Sequence, residues 1–178
     1  MERKRCPELY NKAKELYIKK EYKKALEIFS SIDVKCVGNF DESVVHHYAG
    51  LCYSNLYKLK KSIREFDLAI RYRPNYPKIY LDKGLTYYFY YNRNRAREFF
   101  LRLFGRKNIL EKALKCFQEG LLVDQNSAEI WYYRGRVLEL LGKRGKAEKS
   151  FRNAIKHERR IKNTEKSALF RKVRKRVS

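Results

Sequence analysis

The chain has 178 residues, of which 43 are Lys or Arg and 20 are Asp or Glu, so its formal net charge is +23. Hydrophobic residues make up 44% of the sequence and aromatic residues 15%, which is too much apolar material for a disordered polycation and enough for a continuous core. No apolar run approaches the roughly 20 residues that a membrane span needs, and no apolar signal segment follows the basic first residues. We therefore expect one folded domain, residues 1–178, in the cytoplasm and without a membrane partner.

Cysteine and histidine spacing gives little support to a metal site. The cysteines are Cys6, Cys36, Cys52 and Cys116. Because no two of them form a Cys-x-x-Cys pair, reduced thiols are expected. A zinc site would have to combine Cys36 and Cys52 with His46 and His47, a spacing unlike that of structural zinc modules. Since the sequence also has no phosphate-binding loop or catalytic motif, we expect no cofactor and no enzymatic activity.

An internal repeat organises the sequence. Gly50 and Gly84 are 34 residues apart, and Gly135 follows after 51, which is one and a half such periods. A small residue also precedes a phenylalanine by four positions in a second series: Ala25 and Phe29, Ser62 and Phe66, Ala113 and Phe117, Ala147 and Phe151. A glycine inside a helix costs about 1 kcal/mol relative to alanine. Its recurrence therefore indicates that a partner helix packs closely against it.

The last repeat carries a recognisable pattern. Trp131-x-x-Arg134-Gly135-x-x-Leu138 is followed by Gly142, Ala147, Phe151 and Ala154. Two helices per 34 residues with this pattern resemble the tetratricopeptide repeat (TPR) family. The resemblance implies an all-α, right-handed α-solenoid of about four helix-turn-helix repeats with a C-terminal capping, basic helix. The repeats would cover residues 6–39, 43–76, 77–127 and 128–161, with a 17-residue insert at 92–108 and the last helix at 164–177.

Apolar periodicity and cap residues place the individual helices. The predicted helices are Pro7 to Lys20, Tyr22 to Ile32, Glu42 to Leu56, Lys60 to Tyr72, Pro77 to Tyr91, Ile109 to Val123, Ser127 to Leu141 and Gly145 to Glu158. Asp41 is the expected N-cap of the third. The insert has a helical composition, which predicts either an extra helix or extensions of its two neighbours.

The resemblance also implies a binding surface, because the first helices of successive repeats in this family line a concave groove that holds a peptide. The corresponding residues are Tyr10, Lys14, Tyr17, His47, Leu51, Asn55, Lys78, Leu81, Leu85, Tyr88, Phe89, Tyr132, Arg136 and Glu139. Such a surface suits a protein or peptide with apolar anchors and acidic groups. Aromatic residues at helical spacing more often belong to a core, so up to half of this set are candidates for packing against second helices.

One family variant holds a C-terminal carboxylate with lysines and asparagines. Here Tyr10 and His47 stand at lysine positions and Lys14 stands at an asparagine position. The sequence therefore argues against an adapter for chaperone tails.

Positive charge is concentrated in two segments. Residues 156–178 hold ten Lys or Arg and two Glu, and residues 92–108 hold six and one. Candidate polyanion contacts are Arg93, Arg95, Arg97, Arg102, Arg171, Lys172, Arg174, Lys175 and Arg176. RNA or another nucleic acid is therefore an alternative partner, against the simpler interpretation of a solvated basic surface. A non-catalytic scaffold remains the leading hypothesis, with a homodimer as its expected form of self-association.

Overall fold

The computed structural model describes residues 5–32, 41–94 and 105–158. In these ranges the chain forms eight α-helices and no strand. They are α1 (Arg5–Ile18), α2 (Tyr22–Ser31), α3 (Glu42–Asn55), α4 (Leu59–Tyr72), α5 (Pro77–Asn94), α6 (Gly105–Val123), α7 (Ala128–Leu140) and α8 (Arg144–Glu158). The all-α fold of helix-turn-helix pairs is confirmed, and no predicted helix end is more than four residues from the observed one.

The largest differences in helix length border the insert. Helix α5 continues to Asn94 and α6 begins at Gly105. Both helices therefore extend into the predicted insert, by three and four residues respectively. Residues 95–104 and the predicted basic helix at 164–177 lie outside the described residues, and their conformations stay predictions.

Local hydrogen bonds explain where several helices begin and end. The Asp41 carboxylate accepts a hydrogen bond from the Ser43 amide at 3.0 Å and caps α3, as predicted. The Ser127 hydroxyl accepts from the Ile130 amide at the start of α7. Gly142 follows the end of α7 with a φ of +73°, a conformation in which a residue without Cβ is unstrained. A residue with a side chain would therefore be strained at this position of the turn to α8.

The chain divides into two compact units, Met1–Thr86 and Tyr87–Ser178. In the first, α1 packs on α2, α2 on α3 and α3 on α4. In the second, α6 packs on α7 and α7 on α8. The buried residues of the main clusters are Ala13, Ala25, Phe29, Val45, Ala49 and Cys52 in the first unit, and Ala128, Tyr132, Leu138, Ala147, Phe151 and Ala154 in the second. Each unit therefore has its own apolar core.

A glycine on a first helix faces a phenylalanine ring on the following second helix. A Cβ atom added to Gly50 would lie 2.9 Å from Cε1 of Phe66, and one added to Gly135 would lie 2.5 Å from Cε1 of Phe151. Both rings are buried. Because these separations are shorter than any ordinary carbon contact, the predicted close approach of the paired helices is confirmed at both glycines.

The cysteines differ from the expectation of four reduced thiols. Cys6 is disulfide-bonded, whereas Cys52 and Cys116 are buried and form no disulfide. Burial raises the pKa of the Cys52 thiol to about 12, so this thiol stays protonated and acts as a small apolar side chain. Of the described helices, none combines the length and apolar character needed to cross a membrane.

Tyrosines contribute much of the partly buried surface around the cores. Tyr10 and Tyr17 both pack edge-on against Tyr48, with ring centroids 5.8 and 5.3 Å apart. In the second unit the Tyr133 ring stacks on Phe117. Burial is the main reason that the pKa values of Tyr10, Tyr17 and Tyr133 are all raised from 10.0 to about 12. The folded chain therefore holds these phenols in the neutral form.

We predict that Gly135→Ala lowers the free energy of unfolding by about 1–3 kcal/mol, because the new methyl group displaces the buried Phe151 ring by more than its better helix propensity offsets. Urea unfolding followed by circular dichroism measures the change. Gly145→Ala is the matched control, since nothing lies within 4 Å of the added Cβ. This control variant should be as stable as the wild type or slightly more stable. Equal stability of the two variants would contradict the interlocking of Gly135 with Phe151.

A second prediction concerns alkaline pH. Below pH 10 these phenols are neutral in both the folded and the unfolded chain, so the stabilisation from burying them in the neutral form is fully present. As the pH rises from 10 towards 12, the unfolded chain ionises these phenols before the folded chain does, so stability falls. Tyr17→Phe should flatten that decline in the free energy of unfolding, which urea unfolding at a series of pH values measures. A Tyr17→Phe profile that coincides with the wild type would show that Tyr17 titrates normally.

Candidate peptide-binding surface

The predicted groove residues of the first unit lie on α1, α3 and the part of α5 that ends at Thr86. They differ in accessibility. His47 and Leu81 are buried, Asn55 and Lys78 are exposed, and the intermediate residues are Tyr10, Lys14, Tyr17, Leu51 and Leu85. The buried members offer a partner little surface, so recognition on these helices depends on the accessible ones.

A buried polar pair joins α3 to α5. The His47 Nε2 atom lies 2.8 Å from Asp82 Oδ2, and both side chains are more than 90% buried. The other carboxylate oxygen, Oδ1, lies 3.2 Å from the Lys78 ammonium one turn earlier on α5. Because a buried carboxylate or imidazole without a partner is costly, each member of the pair stabilises the other. His47 is thus committed to holding α3 against α5.

Asp82 was not among the sequence candidates. It stands next to the predicted groove residue Leu81 and follows His47 by 35 residues, close to one repeat period. The sequence signal that could have predicted this pair is a histidine and an aspartate about one repeat period apart on two first helices. Thr86 extends the network, since its hydroxyl donates to the Asp82 carbonyl oxygen and lies 2.9 Å from Ser54 Oγ.

Aromatic and cationic side chains of α1 lie beside this network. The pKa of Tyr17 is raised to about 12 by burial first and next by the negative charge of Asp82. The Lys14 ammonium lies 5.8 Å from the centroid of the Tyr48 ring, a cation–π arrangement. The accessible part of this surface therefore combines aromatic edges with positive charge, which suits apolar and acidic groups of a peptide.

In the second unit the predicted residues lie at the end of α5 and on α7. Tyr88 and Tyr132 are buried, whereas Phe89 is 54% exposed. The Arg136 guanidinium donates to the Tyr132 hydroxyl oxygen at 3.2 Å, and its Nε atom lies 3.4 Å from Glu139. Tyr132 is thus mainly a packing residue, while the accessible groups are Phe89, Arg136 and Glu139.

The candidate polyanion contacts lie mostly outside the part of the chain that the structure describes. Of the polyanion candidates, only Arg93 is described, as an exposed residue in the last turn of α5. The other candidates lie outside the described residues: Arg95, Arg97, Arg102, Arg171, Lys172, Arg174, Lys175 and Arg176.

The histidines considered for zinc have carboxylate partners, since His46 lies 2.8 Å from Glu65 and His47 pairs with Asp82. In the described ranges no three His, Cys, Asp or Glu side chains are grouped so as to hold a metal ion.

Comparison with sequence families identifies the last repeat. Residues 128–160 match the family model described as a tetratricopeptide repeat, the same stretch that carries the Trp131 to Ala154 pattern. A search of curated proteins finds no match to the chain.

Solved structures resemble the chain over most of its length. A crystal structure of MamA matches with a TM-score of 0.69 and 17% identity, covering 87% of this chain and 79% of that one. TTC0263, a thermophilic TPR protein of Thermus thermophilus, matches with a TM-score of 0.64 and 24% identity, covering 86% and 74%. The first TPR domain of Spaghetti (RPAP3), solved bound to an HSP90 peptide, matches with a TM-score of 0.54 and 16% identity, covering 76% and 92%.

These structural matches establish the fold, but sequence identities below 25% do not establish a shared partner. The family model accounts for the sequence of one repeat. Together they explain the 34-residue period and the paired helices. Residues 128–160 are thus a tetratricopeptide repeat by sequence, and the described helices have the fold of solved tetratricopeptide repeat structures.

Proposed function

We propose that the chain is a non-catalytic TPR scaffold that binds a protein or peptide through its first helices. One observation carries this proposal. On each first helix the residue after the recurring small residue (Ala13, Gly50, Gly84 or Gly135) stays partly exposed: Lys14, Leu51, Leu85 and Arg136. A step of one residue turns the side chain about 100° around the helix, so these four occupy equivalent positions, turned away from the direction of the small residue before them.

The chemistry of these positions indicates the kind of partner. Leu51 and Leu85 offer apolar contacts, and Lys14 and Arg136 offer positive charge at the first and last repeats. The exposed Phe89 ring adds an anchor of the type that dominates many interfaces. A peptide with apolar side chains and acidic groups fits this set better than a basic one does, because the chain as a whole carries a net charge of +23.

The first test replaces an apolar residue in the binding surface. We expect Leu85→Glu to abolish capture of the partner, because a carboxylate would have to be desolvated against an apolar anchor, with little change in melting temperature. Leu122→Glu is the matched control, since Leu122 is 82% exposed on a second helix. The measurement is quantitative mass spectrometry of proteins captured from nuclease-treated lysate.

Phe89→Ala repeats this test without introducing a charge, and should also reduce capture. An identical set of captured proteins for wild type, Leu85→Glu and Phe89→Ala would contradict the proposed surface. Loss of capture by Leu122→Glu would instead place the binding surface on the second helices.

The second test uses the peptide SRMEEVD, which is the HSP90 peptide bound to the Spaghetti TPR domain. We expect no specific binding here, because His47 is buried against the Asp82 carboxylate and cannot act as a lysine that receives a C-terminal carboxylate. Fluorescence anisotropy with the free-acid and the C-terminally amidated peptide makes the comparison. Equal, weak signals are expected, and a strong preference for the free acid would show a carboxylate clamp that the residue pattern does not predict.

A further inference from the structure

The outer face of α8 carries a row of positive side chains. The buried face of this helix consists of Ala147, Ser150, Phe151, Ala154 and Glu158. Lys146, Lys149, Arg152 and Lys156 are all exposed, and their spacing of three or four residues places them together on the opposite face. At 1.5 Å per residue the row is about 15 Å long. We call these four residues the α8 cationic row.

Most of this charge is not neutralised within the described structure. Arg152 pairs with Glu148 at 2.5 Å, whereas Lys146, Lys149 and Lys156 have no carboxylate partner among the described residues.

The second helix α6 shows a different arrangement. Lys107 and Lys115 each have a glutamate one turn later, with nitrogen–oxygen distances of 4.0 Å to Glu111 and 3.8 Å to Glu119. Of the three exposed lysines of α6, Lys107 and Lys115 are thus compensated by their own helix and Lys112 is not, whereas none of the three lysines of the α8 cationic row is compensated within the described residues. The α8 cationic row is therefore a local concentration of charge beyond the generally basic composition.

The side chains around the α8 cationic row favour one class of anionic partner over the others. A membrane-surface helix needs apolar side chains that can enter the lipid. The large apolar side chains of α8 are engaged in the core, since Phe151 is only 4% exposed and Ile155 packs against the same cluster. A single-stranded nucleic acid is held largely by aromatic side chains that stack on its bases, and no aromatic residue accompanies the row on the exposed face of α8. Ion pairs between exposed lysines and an acidic protein contribute little each. A duplex instead presents closely spaced phosphates on its outside with its bases hidden.

We propose that the α8 cationic row binds the phosphate backbone of double-stranded nucleic acid without reading its sequence. Lys146, Lys149 and Lys156 contact phosphates directly, and release of the duplex counterions drives association. The proposal is separate from the peptide-binding surface, which lies on the first helices, so either can fail while the other holds.

The test compares two triple variants of the full chain with the same change of charge. One carries Lys146→Gln, Lys149→Gln and Lys156→Gln. The control carries Lys12→Gln, Lys23→Gln and Lys60→Gln, which replaces three exposed lysines of the first unit. Glutamine has nearly the helix propensity of lysine, so both variants should fold, and circular dichroism verifies this. The probes are a labelled RNA duplex, a DNA duplex and a single strand of the same sequence, each titrated over a range of salt concentrations.

We expect the α8 variant to lower the slope of log affinity against log salt by about 2.7 on a duplex, since each phosphate contact contributes about 0.9, and the control to leave the slope nearly unchanged. Equal losses in the two variants, or none in the α8 variant, would overturn the proposal. Tighter binding of the single strand, or displacement of the duplex by polyglutamate at equal charge, would assign the row to a different anionic partner and would also overturn it.

Discussion

The pairing of α3 with α4 and of α7 with α8 depends on a missing side chain. Gly50 and Gly135 allow the rings of Phe66 and Phe151 to occupy the space that a Cβ would fill, and this brings the two helices of a repeat close enough to bury both rings. Because the same pairing recurs, a single local rule builds helix pairs in both units. The other packing residues, small ones on the second helices and aromatic ones on the first, extend these contacts.

The helix pairs determine which side chains remain for binding. Four of the predicted groove residues are buried: His47, Leu81, Tyr88 and Tyr132. The Asp82 carboxylate also holds His47 in place. What remains accessible is a smaller set led by Lys14, Leu51, Leu85, Phe89 and Arg136. On the proposed binding surface these residues supply apolar anchors and cations, while the polar network around Asp82 supports the fold.

Charge has separate roles on the two kinds of helix. On the first helices the cations are tied into local contacts, as Lys14 is with Tyr48 and Arg136 is with Tyr132 and Glu139, so they present charge in defined positions. On α8 three lysines stand without a carboxylate partner in the described structure. The net charge of +23 attracts anions in general, but only local geometry can give that attraction a site.

The sequence by itself determined the period, most helix ends and the close approach of a partner helix at the recurring glycines, because these follow from local propensity, capping and a repeat that can be read along the chain. It also proposed groove positions on the first helices, which stay a prediction. Only the tertiary structure decided which of those positions are accessible, that Asp82 holds His47, and that Cys6 is disulfide-bonded. Burial on one helix depends on side chains supplied by the next repeat, about 35 residues away, and a single helical period contains no information about how deeply a neighbouring repeat covers it.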